Sequence, residues 1–221
     1  MDVIYGIVGF FVSGGLFMYP ILFVFAVGAG IAVERYVTLT RITNKNRGMW
    51  TSLQPLIARG EFDKARELTS KDNSTISQLL SMGLERQGAV RRRDDIEVVM
   101  EEAMMEIIPQ LEKRTSYVSL SANVATLLGL LGTIMGLIQA FTAVANANPA
   151  EKADLLSASI SVAMNTTAFG LIVAIPLLVT HTVLAQKTAQ IVAALEMASV
   201  KTLNIISSGT QRNYQVTDRA A

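Results

Sequence analysis

SLSANVATLLGLLGTIMGLIQAFTAVAN, residues 119–146, decides the fold. Its 28 residues include no Asp, Glu, Lys or Arg. At about 1.5 Å per residue they are more than long enough to cross the roughly 30 Å hydrocarbon core of a bilayer. Ala122, Thr126, Gly129, Thr133, Gly136, Ala140 and Ala143 follow one another at alternating spacings of four and three, and every one is small. That spacing places them on one helical face. Gly132 is a further small residue in the same stretch, while Leu127, Leu128, Leu131, Ile134, Leu137 and Ile138 lie elsewhere round the helix. Small residues let helices approach closely inside a membrane, where packing replaces the hydrophobic drive. Two readings stand for such a face. It is ordinary helix glue, or it is the wall of a polar path to which Thr126 and Thr133 contribute hydroxyls.

A second helix of the same kind follows. Residues 155–184, LLSASISVAMNTTAFGLIVAIPLLVTHTVL, also lack Asp, Glu, Lys and Arg and carry Ser159, Ala163, Thr166, Gly170 and Ala174 as a small stripe. The short linker at 147–154 makes the pair an antiparallel hairpin. Thr133 lies 13 residues before Asn146 and Thr167 lies 12 residues after Leu155. Both are therefore roughly 18–20 Å from the same membrane surface. Asn165, Thr166 and Thr167 form a polar cluster near mid-bilayer, where each group requires an internal partner or a water-lined cavity.

GLLGTIMGLIQAF at residues 129–141 and NTTAFGLIVAIP at 165–176 resemble the paired signatures of the MotA/TolQ/ExbB proton-channel family, with the ExbB/TolQ branch closest. The segment order is similar too: one helix, a large cytoplasmic insertion, then a helical hairpin. The resemblance implies a pentameric ring around two single-pass helices of an ExbD/TolR-like partner, whose membrane aspartate carries the ion. It implies that Thr133 and Thr167 face the pore and that the output is work on a TonB- or TolA-like periplasmic protein. From their own polarity and position, Thr126, Asn165 and Thr166 are expected to join the ion path. Gly129, Gly132, Gly136, Ala140 and Gly170 are then expected to pack the ring. Where members such as the enteric proteins of that branch have a glutamate five residues before the second threonine, this chain has Val162. The resemblance favours protons as the driving ion, with sodium as the alternative that Val162 leaves open.

Composition agrees with a small polytopic membrane protein. The chain has 221 residues and is 51% hydrophobic, with mean hydropathy +0.40. Of 19 Lys and Arg residues, 14 fall between Arg35 and Arg114 and four lie after Leu184. Positive residues are retained on the cytoplasmic side, so residues 34–118 and 185–221 are expected inside the cell. The N-terminus and the 147–154 loop, with Lys152 alone, are expected in the periplasm, the bilayer being a bacterial inner membrane. The start lacks the positive charges of a cleavable signal peptide, and no processing is expected. Zero cysteines exclude disulfides and thiolate metal sites.

From the N-terminus, residues 1–15 read as an external interfacial helix stopped at Gly14-Gly15, or as an extension of the first span. Residues 16–33 are that span, with Pro20 near its outer end and Glu34-Arg35-Tyr36 as anchor. Residues 49–59 and 61–70 read as two short helices around Gly60, the second with Phe62, Ala65 and Leu68 repeating at three residues. Asn73 or Ser74 caps a further helix bearing Ile76, Leu79, Leu80, Met82 and Leu84. Asp94-Asp95 starts a long helix through Val98, Met105 and Leu111 that is expected to run into residues 119–146 with a bend at Pro109. The third span continues past Leu184 until Gly209, and the last residues read as a disordered tail.

No catalytic constellation stands out, and the chain is not read as an enzyme. His181, the sole histidine, has no Cys, Asp or Glu near it in sequence. Arg91, Arg92 and Arg93 lack the aromatic interleaving of a nucleic-acid patch and suit anionic lipid or solvent. Glu97, Glu101, Glu102, Glu106 and Glu112, bounded by Arg93 and by Lys113 and Arg114, read as a solvated face or a ring of inter-subunit pairs rather than a metal site. No metal or cofactor is implied. Pro176 removes a backbone donor and leaves the Ile172 carbonyl free for water or for a simple kink. The expected fold is all-α: three membrane helices and a helical cytoplasmic bundle, assembling as a ring. Alternatives are a MotA-type or sodium-driven stator subunit, which normally has four spans, and a static membrane scaffold without ion flux.

Overall fold

The computed structural model of the chain describes residues 11, 14–86 and 93–218. Six helices follow in order: α1 (Met18–Ala58), α2 (Phe62–Ser70), α3 (Thr75–Arg86), α4 (Arg93–Glu112), α5 (Thr115–Asn146) and α6 (Lys152–Asp218). There is no strand among the described residues. Three helical stretches are long and apolar enough to cross a membrane, and they lie in Met18–Ala58, Asp94–Asn146 and Lys152–Ser207. The fold is thus all-α and polytopic. Most of the segment expected at residues 1–15, with Gly88, Arg91 and Arg92, lies outside the described residues.

The chain divides into two compact units: Met1–Arg35 with Arg114–Leu184, and Tyr36–Lys113 with Ala185–Ala221. In the first, α5 and the start of α6 form the antiparallel hairpin that the short linker requires. Glycines set its spacing. A Cβ on Gly170 would lie 2.8 Å from the Ala125 carbonyl oxygen and 3.1 Å from Gly129 Cα, and one on Gly136 would lie 2.7 Å from Ala163 Cβ. Backbone therefore meets backbone over the length of the pair. The beginning of α1 lies against the half of α5 nearer Arg114. Its Gly28 faces Ser121 and Leu177, Phe17 approaches Gly132, and Glu34 pairs with Arg114 at 3.8 Å. The chain at residues 14–17 is thus level with Gly132, well short of the far end of α5 at Asn146, although residue 16 is expected to mark the outer end of a full span.

The second unit is a bundle around Leu39, Leu53, Ile57, Leu79, Leu80, Leu84, Met100, Leu111 and Leu195. Here several expectations shift. Residues 34–58 belong to α1 itself, without the separate helix expected at 49–59. The hydroxyls of Thr40 and Thr43 donate to the carbonyls one turn back, at 2.6 and 2.9 Å, and nothing between them breaks the helix. The stop comes at Gly60, as expected, with φ +74. Gly60 N–H donates to the Ile57 carbonyl and Glu61 N–H to that of Leu56, each at 3.0 Å, closing the helix end with two carbonyls satisfied. In α4 the buried face is Ile96, Met100, Ala103, Met104, Ile107 and Leu111, while Val98 and Met105 are exposed.

Two further corrections concern helix ends. Pro109 sits inside α4, and the carbonyl it leaves without a helical partner belongs to Met105, an exposed residue. The interruption falls at Arg114, which adopts a left-handed φ of 67 and starts α5 without a side-chain cap. At the other end, α6 continues through Gly209 to Asp218. A single glycine costs a helix only about 1 kcal/mol relative to alanine, which does not oblige it to stop.

The start of α3 is the most polar point of this unit. Ser74 caps it, its Oγ accepting from Ser77 N–H at 3.3 Å. Asp72 Oδ2 accepts from Ser74 N–H and from the Ser77 hydroxyl, both at 2.9 Å, and Oδ1 pairs with Lys45 at 3.1 Å. From α1, the Asn46 amide oxygen takes Ile76 N–H at 3.3 Å and meets the Thr75 hydroxyl at 2.9 Å. Partial burial pushes the Asp72 carboxyl up. The hydrogen bonds from Ser74 and Ser77 and the Lys45 ammonium outweigh that and hold it well below the usual carboxylate range. Further along the unit, Lys187 reaches from α6 to the Thr40 hydroxyl at 2.7 Å and lies 3.6 Å over the Tyr36 ring.

Candidate functional site

The hairpin of α5 and α6 holds every site residue expected from sequence. Its contact pairs run antiparallel. Gly136 meets Ala163, Gly132 meets Thr166, and Gly129 meets Thr167 and Gly170. Stepping three or four residues down one helix steps as many up the other. This register puts Thr133 and Thr167 within about a residue of the same level, as the loop arithmetic requires.

The side chains at that level differ in setting. Thr167 is half-buried, and its hydroxyl crosses the hairpin to donate to the Gly129 carbonyl at 2.8 Å. The Thr133 hydroxyl stays on its own helix and donates to the Leu130 carbonyl at 2.6 Å. Thr126 is exposed and donates to Ala122 at 3.1 Å. Each of these oxygens keeps lone pairs with which to accept. Asn165 is half-buried, whereas Thr166 is only 2% exposed and lies 2.6 Å from the Gly14 carbonyl. Pro176 is exposed within α6, and its carbonyl takes the Thr180 hydroxyl at 2.8 Å.

The small residues expected to pack copies against each other lie inside one chain. Gly129, Gly132, Gly136 and Ala140 are buried together with Ala122 and Ala125, and Gly170 is buried opposite them. The hairpin itself occupies the stripe, because helices at backbone contact have no room for larger side chains. The buried face is turned slightly from the expected one. It takes in Ala125 and Gly132, leaving Thr126 exposed and Thr133 and Ala143 half-buried at its edge. Asn123, not singled out from sequence, is exposed three residues before Thr126. Its position one turn along the same edge as Thr126 and Thr133 was legible in the spacing. Large apolar residues are exposed as well: Leu127, Ile134, Ile138 and Phe141 on α5, with Ile172, Ile175 and Val179 on α6. The hairpin therefore offers large apolar side chains beside a polar edge at Asn123, Thr126 and Thr133.

These features define a multi-pass helical membrane protein with a hydroxyl-bearing hairpin whose two spans lack Asp, Glu, Lys and Arg. The description "MotA/TolQ/ExbB proton channel family" matches residues 71–197, more than half of the chain, and the chain belongs to that family. Over 53 residues it is 45% identical to the biopolymer transport protein exbB1 of Vibrio cholerae serotype O1. The matched stretch is 24% of this chain and 23% of that protein, so the chain spans about a quarter of the relative it matches.

Proposed function

We propose that this chain is the ring-forming subunit of an ion-driven motor in a bacterial inner membrane. Five copies, by family resemblance, surround the single membrane helices of an ExbD/TolR-like partner. The partner's carboxyl moves ions past the hairpin, and the work is delivered to a TonB- or TolA-like periplasmic protein. The observation that carries the reading is the pair Thr133 and Thr167, level with each other in two spans that lack any Asp, Glu, Lys or Arg, with His181 fourteen residues beyond Thr167. Such a hairpin has no acid to carry a proton at the level of the threonines, and another subunit's carboxyl is required there. The hydroxyl protons of both threonines are engaged by backbone carbonyls. A protonated carboxyl can donate to either oxygen at once. An ionised one draws a hydroxyl away from its carbonyl, so both states of the partner find a bond.

A scaffold without flux is the competing reading, and the satisfied hydroxyls are compatible with it. Proteoliposomes holding the chain with and without its partner separate the two. The motor reading expects ion uptake with the partner only, under a proton or a sodium gradient applied singly to identify the ion. No uptake in the complete complex under either gradient leaves the scaffold.

A further inference from the structure

Thr166 has a hydroxyl with one proton and two carbonyls in reach, Gly14 at 2.6 Å and Val162 at 3.0 Å. Bonding to the carbonyl four residues back is the usual resort of a helical threonine. Here the nearer acceptor is 152 positions away in sequence. Three neighbours bring the two together. Gly15 turns the chain with φ +76, a conformation that favours glycine, and lies against Val162. Gly132 has no Cβ, and the Thr166 methyl occupies the space one would fill, with Phe17 Cβ 3.5 Å from the same point. The Phe11 ring stands edge-on to Phe169 of α6, centroids 5.8 Å apart, and to Tyr19 at 5.2 Å. Next door, Thr167 donates to Gly129 of α5. Successive residues on a helix point about 100° apart, so α6 is held from two directions at one level.

We propose that Thr166 is a positioning residue. Its hydroxyl latches the chain just before α1 onto the middle of α6, Gly132 is the socket that lets it reach, and the latch and Thr167 together fix the rotation of α6 about its own axis. Thr166 then acts inside one subunit and not as part of an ion-path wall. The latch stands on the fold alone; only its consequence for flux rests on the function proposed above.

The cysteine-free chain makes the test direct. Phe11→Cys and Phe169→Cys are introduced together in the full-length protein in membranes and treated with a short bifunctional thiol-reactive crosslinker that spans the space the two rings occupied. The linked peptides are quantified against total protein by mass spectrometry. The pair is expected to link. Adding Thr166→Val should cut the yield about fivefold, the factor carried by a hydrogen bond of ordinary net strength, and Thr166→Ser should preserve it. Gly132→Ala should cut the yield in the same way by displacing the methyl. Combining it with Thr166→Ser, which keeps the hydroxyl and drops the methyl, should restore the link. Failure of the parent pair to link, or equal yields with valine and threonine at 166, overturns the latch whatever the flux measurements show.

Discussion

At the scale of single residues, the hairpin depends on what glycine lacks. Gly170 faces the Ala125 carbonyl and the Gly129 backbone, neither of which can step aside as a flexible side chain can. Gly170→Ala should therefore pry the helices apart and destabilise the protein by about 1–3 kcal/mol, the usual cost of overpacking. Gly30 has nothing within 4 Å of the place a Cβ would occupy. Gly30→Ala should leave stability unchanged or raise it slightly, since alanine is the better helix former. Thermal unfolding in detergent checks both, and equal midpoints for the two variants would contradict the packing. The small stripe and the matched threonines were legible in the sequence because helical spacing alone fixes which residues share a face. Which neighbour the stripe meets was not. A face of glycine and alanine suits another helix of the same chain or of a second copy equally well. Nor does any local pattern tie Gly14 to Thr166.

At the scale of elements, charge-free runs and stop signals located the hairpin and the end of α1 at Gly60, because both follow from backbone chemistry. The continuity of α1, the interruption at Arg114 and the length of α6 follow instead from tertiary contacts or from weak local preferences. The clamp at the start of α3 combines both kinds of cause: Ser74 is a visible cap, whereas Asn46 and Lys45 arrive from another helix. Its Asp72 has a depressed pKa in the folded state. The stability it contributes is therefore fully present above the unfolded value of about 3.9 and is lost as pH falls below that towards the folded value. Asp72→Asn should cost about 1 kcal/mol near neutrality through weaker hydrogen bonds, and the gap from wild type should start to narrow as pH falls below about 3.9 and go on narrowing towards the folded value. Unfolding midpoints of the two proteins at each pH provide the check. A gap of constant size from neutrality into acid would remove the carboxylate from this role.

At the scale of the whole molecule, the uneven placement of Lys and Arg predicts an orientation that helix geometry by itself does not. Cysteines placed one at a time at Pro149 and Gly60 should react with an impermeant thiol reagent from the periplasmic and the cytoplasmic side respectively. Reaction of the Gly60 site from the periplasm would reverse the assignment. The central claim is that the two level threonines touch the ion's route. The most direct measurement is ion flux through proteoliposomes holding the complete complex, comparing wild type with Thr133→Val, Thr167→Val and, as a control, Thr142→Val. Valine keeps the shape and removes the hydroxyl. Thr142 is exposed nearer the loop, and its hydroxyl donates to its own helix at Ile138. Flux is expected to vanish in the first two with the assembly intact, and to persist in the third. Undiminished flux in both Thr133→Val and Thr167→Val would contradict the account and leave those hydroxyls as helix glue.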